Sequence, residues 1–284
     1  MLKKDTLIRL RMPFSIFLLP VFLFAWSQTP SAKGEDILAV FFLLHFLVYP
    51  AANGYASCLD QNYRPVTSKE LWWLVNGMDL FAILLSVRIS PLFAAQISGL
   101  ILASRIYSNP VTRLNRYPVF NFLWISFFYG FVVYWAVQTA LGGEVSEYAL
   151  FTNQLWAKIM GTALVGSMFL FSQIYQNDLN KRDGVKTLSR LLGYQGSFAF
   201  YALLFVLMDF AVWQHFQCHG SLRFFWVMQF FLLPIALYCC YWYVLVTRNS
   251  LAADFDHSTR MRLLTCLCLN LCFLSFLISQ WLVN

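Results

Sequence analysis

Charged residues are scarce in this chain: Asp, Glu, Lys and Arg make up 12% of 284 residues, where a soluble globular domain carries about a quarter. Hydrophobic residues fill the deficit at 60%, with a mean hydropathy of +0.61, more apolar surface than a water-soluble core needs. There is no low-complexity tract. The seven cysteines form no disulfide framework, because Cys58, Cys239, Cys240, Cys266, Cys268 and Cys272 lie in or beside apolar stretches where a thiol behaves as a small hydrophobe. Acids are the scarcer charge, giving a formal net charge of +7. Nucleic acid is nevertheless not an expected partner, since the excess has a simpler cause in cytoplasmic loops.

Long apolar runs dominate the rest. They fall at roughly 12–29, 37–57, 71–89, 91–108, 118–141, 154–176, 193–213, 223–246 and 263–283, each near the 17–25 residues that hydrocarbon thickness demands of a helix. Continuous runs exclude a barrel, whose strands would alternate. The expectation is an all-α polytopic membrane protein, residues 1–284 forming one domain, a nine-transmembrane-helix bundle embedded in the lipid bilayer. Lys3, Lys4, Arg9 and Arg11 precede the first run in the manner of a signal peptide, but its length and the spans that follow predict an uncleaved first helix. With the N-terminus cytoplasmic, the inner segments hold 16 of the 20 basic residues, Arg105, Arg113, Arg116, Lys181, Arg182, Lys186 and Arg262 among them. That asymmetry predicts a cytoplasmic N-terminus and a C-terminus on the opposite side.

The polar residues then cluster at the inner face. Asn53, Ser57 and Asp60 fall at i, i+4 and i+7 at the end of the second run, and Gln176, Asn180 and Asp183 repeat the spacing after the sixth. A helix would stack each set of oxygens along one face. Two helix ends bearing oxygen ligands beside basic side chains could hold Mg²⁺ together with a diphosphate. They could equally cap helices and solvate an inner surface, and spacing alone leaves both readings open.

The same segments carry a family resemblance. The stretch from Asn53 resembles the first motif, Asn-x-x-x-Asp-x-x-x-Asp, of the UbiA superfamily of intramembrane prenyltransferases. The second motif is similar to the series Gln173, Tyr175, Gln176, Asp178, Lys181, Arg182, Gly184, Thr187 and Leu188. Arg11-x-Pro13, Tyr107-Ser108 with Arg113 and Arg116, and Asp254-Phe255 with Met261-Arg262 extend the likeness across almost the whole chain.

The resemblance implies an enzyme with a nine-span bundle that takes an isoprenyl diphosphate from the membrane and transfers its hydrocarbon chain to a lipophilic, usually aromatic acceptor. It implies Mg²⁺ as cofactor, with Asn53, Ser57, Asp60, Gln176, Asp178 and Asn180 around metal and diphosphate. Asn53, Arg113, Lys181 and Lys186 would contact phosphate, and Asp60, Asp178 and Asn180 would be central to catalysis. The chain departs from the pattern where the first motif's two Asp are Ser57 and Gln61, and where an Asp of the second is Asn180. Each lost carboxylate removes a charge from the attraction holding Mg²⁺. The cations Arg113, Arg116, Lys181, Arg182 and Lys186 could take over part of the metal's role; as single residues they also serve as positive-inside anchors. The departures keep two alternatives in view, a terpene cyclase of the same type and a catalytically silent relative that binds lipid.

Two further features lie outside the motifs. Asp79 sits near the middle of the third run, where an ionised acid costs at least about 2.5 kcal/mol unless paired or hydrated; Asn76, one turn earlier, is its expected partner. His215, Cys218 and His219 have a spacing that can ligate metal, but no fourth ligand is apparent. Aromatic residues reach 19%, as core packing and interfacial belts require, and a prenyl pocket would draw on them too.

Overall fold

The computed structural model describes residues 4–59, 66–109, 112, 117–142, 154–175 and 187–283. Among them, nine long helices follow one another behind a short helix, Lys4–Arg9. They are α1 (Met12–Ser27), α2 (Gly34–Leu59), α3 (Val66–Ile89), α4 (Pro91–Ser108), α5 (Pro118–Ala140), α6 (Leu155–Ile174), α7 (Leu188–Cys218), α8 (Leu222–Arg248) and α9 (Phe255–Val283). Seven are long and apolar enough to cross a membrane; α1 is apolar but shorter, and α4, at 18 residues, carries Gln96, Ser98, Ser104 and Arg105. The chain is an integral, multi-pass membrane protein. No strand occurs among the described residues.

Five helices, α2, α3, α7, α8 and α9, start before their apolar runs, and at α7 and α9 a side-chain cap holds the added first turn. Asp254 accepts a hydrogen bond from the His257 N–H at 2.8 Å, which starts α9 eight residues before its apolar stretch at 263. The stretch between the last two apolar runs, 247–262, is therefore not one loop: α8 runs on to Arg248, a 3₁₀ turn covers Ser250–Ala252, and α9 begins at Phe255. Trp242 clamps this turn by donating from Nε1 to the Ala252 carbonyl at 2.8 Å. Thr187 caps α7 on the Arg190 N–H at 3.3 Å. Ser90 caps α4 on the Phe93 N–H at 3.0 Å, with Pro91 at the first helical position, where a missing N–H costs nothing.

Among the described residues α1 opens as a 3₁₀ helix over Met12–Leu18, α7 is kinked at Gly193, where φ is +66°, and two helices contain a π-turn. In α2 the segment Leu43–Val48 is a π-turn that ends two residues before Pro50, whose ring would clash with the carbonyl four residues back in a regular helix. In α5 the π-turn spans Phe127–Val132. It contains Gly130, where α5 meets α6 so closely that an added Cβ would lie 2.5 Å from the Gly161 carbonyl oxygen. No residue with a side chain fits there without parting the two helices.

The core is aromatic and aliphatic, with Phe22, Phe24, Tyr134, Phe171, Phe216, Trp242 and Phe273 fully buried between helices. α6 packs along α7, α9 along α8 and α1, and α3 along α4. The ends of the even helices and the starts of α1, α5 and α9 gather at one end of the bundle, called the motif end below because Asn53 lies there.

Candidate functional site

A cavity of about 270 Å³ opens at the motif end. Its walls come from α1, α2, α4, α5, α6 and α9, and most of the lining is apolar or aromatic: Phe14 and Phe17 from α1, Tyr49 from α2, Tyr129 from α5, Met168 and Phe169 from α6. Among the described residues the polar groups are few: Asn53, the hydroxyls of Ser15, Ser104, Ser108 and Ser172, Tyr107, and one cation, Arg262.

The two π-turns shape this wall. Tyr49 directly follows the π-turn of α2 and Tyr129 lies within that of α5; their ring centroids are 6.1 Å apart across the cavity wall. The Tyr49 side chain is nearly enclosed, 2% exposed, and its hydroxyl has no hydrogen-bond partner among the described residues. That oxygen is itself shielded from solvent, so what Tyr49 offers the cavity is its ring. Tyr107, by contrast, is tied down by donating to Asn121 Oδ1 at 2.9 Å.

Of the first motif, Asn53 lines the cavity. Ser57, one turn on, is buried and donates to the Asn53 carbonyl at 3.0 Å and the Arg9 carbonyl at 3.4 Å, joining α2 to the N-terminal helix. Asp60 and Gln61 lie outside the described residues, as do Arg113, Arg116, Gln176, Asp178, Asn180, Lys181, Arg182, Asp183 and Lys186. Tyr175, the last described residue before the second motif, stacks edge-on against Phe255 at 5.2 Å, so that segment departs from beside the start of α9.

Arg262 has no role among the expected site residues; the sequence marks it only as a basic residue of an inner segment and, with Met261, as part of the family likeness. It is helical, 8% exposed and part of the cavity wall. Arg105, likewise counted with the inner segments, belongs to α4 and reaches across to α3, where it forms an ion pair with Asp79 and lies 3.8 Å over the Tyr55 ring. Asn76 is therefore not the partner of Asp79; it donates to the Trp72 carbonyl of its own helix at 2.7 Å. A guanidinium on another helix outcompetes a neutral amide because only a cation offsets the cost of holding a carboxylate in the bilayer.

At the far end of the bundle the histidines serve cohesion. His215, wholly buried, contacts Gln28 Oε1 through Nε2 at 2.7 Å, joining α7 to α1. His219 meets the His215 carbonyl and Gln154, and Tyr134 donates to Gln154 Oε1 at 3.1 Å. Cys218 is exposed. No group of three metal-binding side chains assembles among the described residues.

The described cavity donors are hard and neutral, the Asn53 amide and the serine hydroxyls, a type that Mg²⁺ accepts. The carboxylates a dication also needs would come from Asp60 and Asp178. The donor set thus fits Mg²⁺ only when completed by those two acids.

Sequence comparison with family models finds no match, and none of the curated proteins matches either. Solved structures do. A digeranylgeranylglyceryl phosphate synthase superposes with a TM-score of 0.66 at 14% identity, covering 98% of both chains. A UbiA homologue from Archaeoglobus fulgidus bound to GPP and Mg²⁺ gives 0.69 at 13% identity over 96% of this chain and 99% of its own. The UbiA homologue from Aeropyrum pernix K1 gives 0.70 at 14% over 93% and 98%. Nine helices around a cavity at one end, matched over nearly the full length of these relatives, give the chain the fold of the UbiA-type intramembrane prenyltransferases.

Proposed function

We propose that the chain is a divergent UbiA-superfamily prenyltransferase, a single membrane domain that transfers an isoprenyl group from an isoprenyl diphosphate to a lipophilic, aromatic acceptor. The observation that carries this reading is the cavity at the motif end, an apolar, tyrosine-rich chamber with Asn53 and a cation on its walls. A greasy chain with an anionic head matches that distribution of lining. Similarity to structures holding GPP or DMAPP with Mg²⁺ supports it.

In the reaction the bond between the donor's C1 and its diphosphate oxygen breaks, and the electron pair leaves with the diphosphate. A bond then forms from the acceptor to C1, and the acceptor releases a proton. The ring faces of Tyr49 and Tyr129 favour positive charge developing in the hydrocarbon, while apolar walls keep water from capturing it. Asn53 orients the head group, and Arg113, Lys181 and Lys186 contact phosphate. Mg²⁺, held by Asn53, Asp60, Gln176, Asp178 and Asn180, would supply charge neutralisation to the leaving group, while Ser57, whose hydroxyl is taken up by the Asn53 and Arg9 carbonyls, holds α2 in place. The basic loops set this end, and the N-terminus, on the cytoplasmic side.

The test is pyrophosphate release by the purified full-length protein in nanodiscs, supplied with isoprenyl diphosphates of graded length, Mg²⁺ and a panel of quinoid and phenolic acceptors. Release that depends on acceptor is expected. A cyclic hydrocarbon formed without acceptor would instead identify a cyclase. No release with any donor would remove the enzymatic reading and leave a lipid-binding relative, which the replaced motif acids at Ser57, Gln61 and Asn180 would then explain.

A further inference from the structure

We infer that Arg262 is a diphosphate-binding residue, a fixed cation at the cavity wall that contacts the donor's phosphate oxygens directly and so does part of the work that the replaced motif acids would assign to a metal. The inference rests on the donor-site reading above and adds to it a residue that lies in neither motif.

Arg262 is 8% exposed and lines the same cavity as Asn53. Its contacts within the protein are weak for a guanidinium. Nε donates to the Ser258 carbonyl at 3.4 Å and Nη2 to Thr259 Oγ1 at 3.3 Å, both long, both to neutral acceptors on its own helix. The charge lies 5.1 Å from the Phe17 ring centroid. No carboxylate among the described residues pairs with it. A buried charge is normally paired, as Arg105 is with Asp79 in this molecule. An anion in the cavity supplies the missing partner, and a planar fork of donors suits phosphate oxygens.

The side chain is also held in place. Ser258, one turn before it, donates to the Phe171 carbonyl of α6 at 2.8 Å, and Asp254 caps the same turn. The start of α9 is thereby fixed against α6 just before the chain enters the second motif. A cation needed only as an interfacial anchor would extend to water along the surface; this one is turned inward against Phe17.

The test uses full-length protein in nanodiscs and geranyl thiolodiphosphate, a donor analogue that does not ionise readily, with affinity measured in Mg²⁺ and again in EDTA. Arg262→Met, which keeps the bulk and removes the charge, is expected to weaken binding about 30-fold in both buffers, with the thermal unfolding midpoint unchanged; Arg262→Gln serves if the Met variant does not fold. In wild-type protein, inorganic pyrophosphate is expected to protect Arg262 from phenylglyoxal, read by peptide mass spectrometry. Unchanged affinity in a folded variant, a loss confined to the Mg²⁺ buffer, or modification of Arg262 at the same rate with and without pyrophosphate would each overturn the inference while leaving the donor site standing. Wild-type protein that binds no thiolodiphosphate in either buffer would remove the donor-site reading itself, and this inference with it.

Discussion

The two ends of the bundle spend their polar residues differently. At the far end Gln28, His215, His219, Gln154 and Tyr134 bond mainly to one another and tie α1, α5, α6 and α7 together. At the motif end Tyr49 and Arg262 are just as enclosed, yet one has no partner and the other only long, neutral ones. The contrast is one of degree, since His215 Nδ1 at the far end also lacks a partner among the described residues; a guanidinium with only long, neutral partners is the costlier case, because it is a full charge.

That contrast can be broken by substitution. The largest stability loss is expected at the half-buried pair between α3 and α4: Asp79→Asn leaves Arg105 charged and unpaired over Tyr55, costing about 2 kcal/mol, read as a lowered midpoint of thermal unfolding in detergent. Restored stability in an Asp79→Leu, Arg105→Met double variant would show that the pair is structural. Gln28→Leu removes the partner of His215 and should cost about 1–2 kcal/mol, with donor affinity unaffected; a shift in donor affinity would mean that the far end is not merely cohesive. Asn53→Ala and Tyr49→Phe should invert the pattern. Stability stays within about 0.5 kcal/mol, while turnover falls about 10- to 100-fold for Asn53→Ala, and a midpoint that fell as far as that of Gln28→Leu would break the comparison.

The smallest effect is a pH dependence at the cap of α9. Burial alone would raise the Asp254 carboxyl, but hydrogen bonds from the His257 backbone N–H and ring, and from the Asp256 N–H, outweigh it and hold the group below the usual carboxylate range. A depressed acid stabilises the fold above its unfolded value of about 3.9 and loses that contribution as pH falls through its lower folded value. Because Asp254 is half-exposed, the gain is about 0.5 kcal/mol. Asp254→Ala should flatten the acid limb of a stability–pH curve by that much, and an unaltered limb would exclude the cap as its source.

Much of this was legible in the sequence, for reasons that also explain what was not. Nine long helices follow from run length, since the bilayer imposes one dimension on every crossing, and seven of those described are long and apolar enough to span it. Helix starts were misjudged at α3, α7 and α9 because their first turns are polar, and apolarity says nothing about a turn secured by Asp254 or Thr187. Asp79 was visible as an anomaly, but its partner lies 26 residues away on another helix, beyond what local spacing detects. Asn53 was found through its motif. Arg262 could not be, because one more cation near a basic loop carries no mark of burial; only the packing of α9 against α6 reveals it.

The π-turn of α2 has a mechanical consequence. One extra residue in a turn rotates everything beyond it by about 100° relative to an uninterrupted helix, so Leu43–Val48 acts as a phase adjuster that dials Tyr49 and Asn53 to their bearing. Rewinding that turn as a regular helix with every residue kept would swing both side chains off the chamber together, whereas excising a single residue there would let the turn close with their bearing preserved.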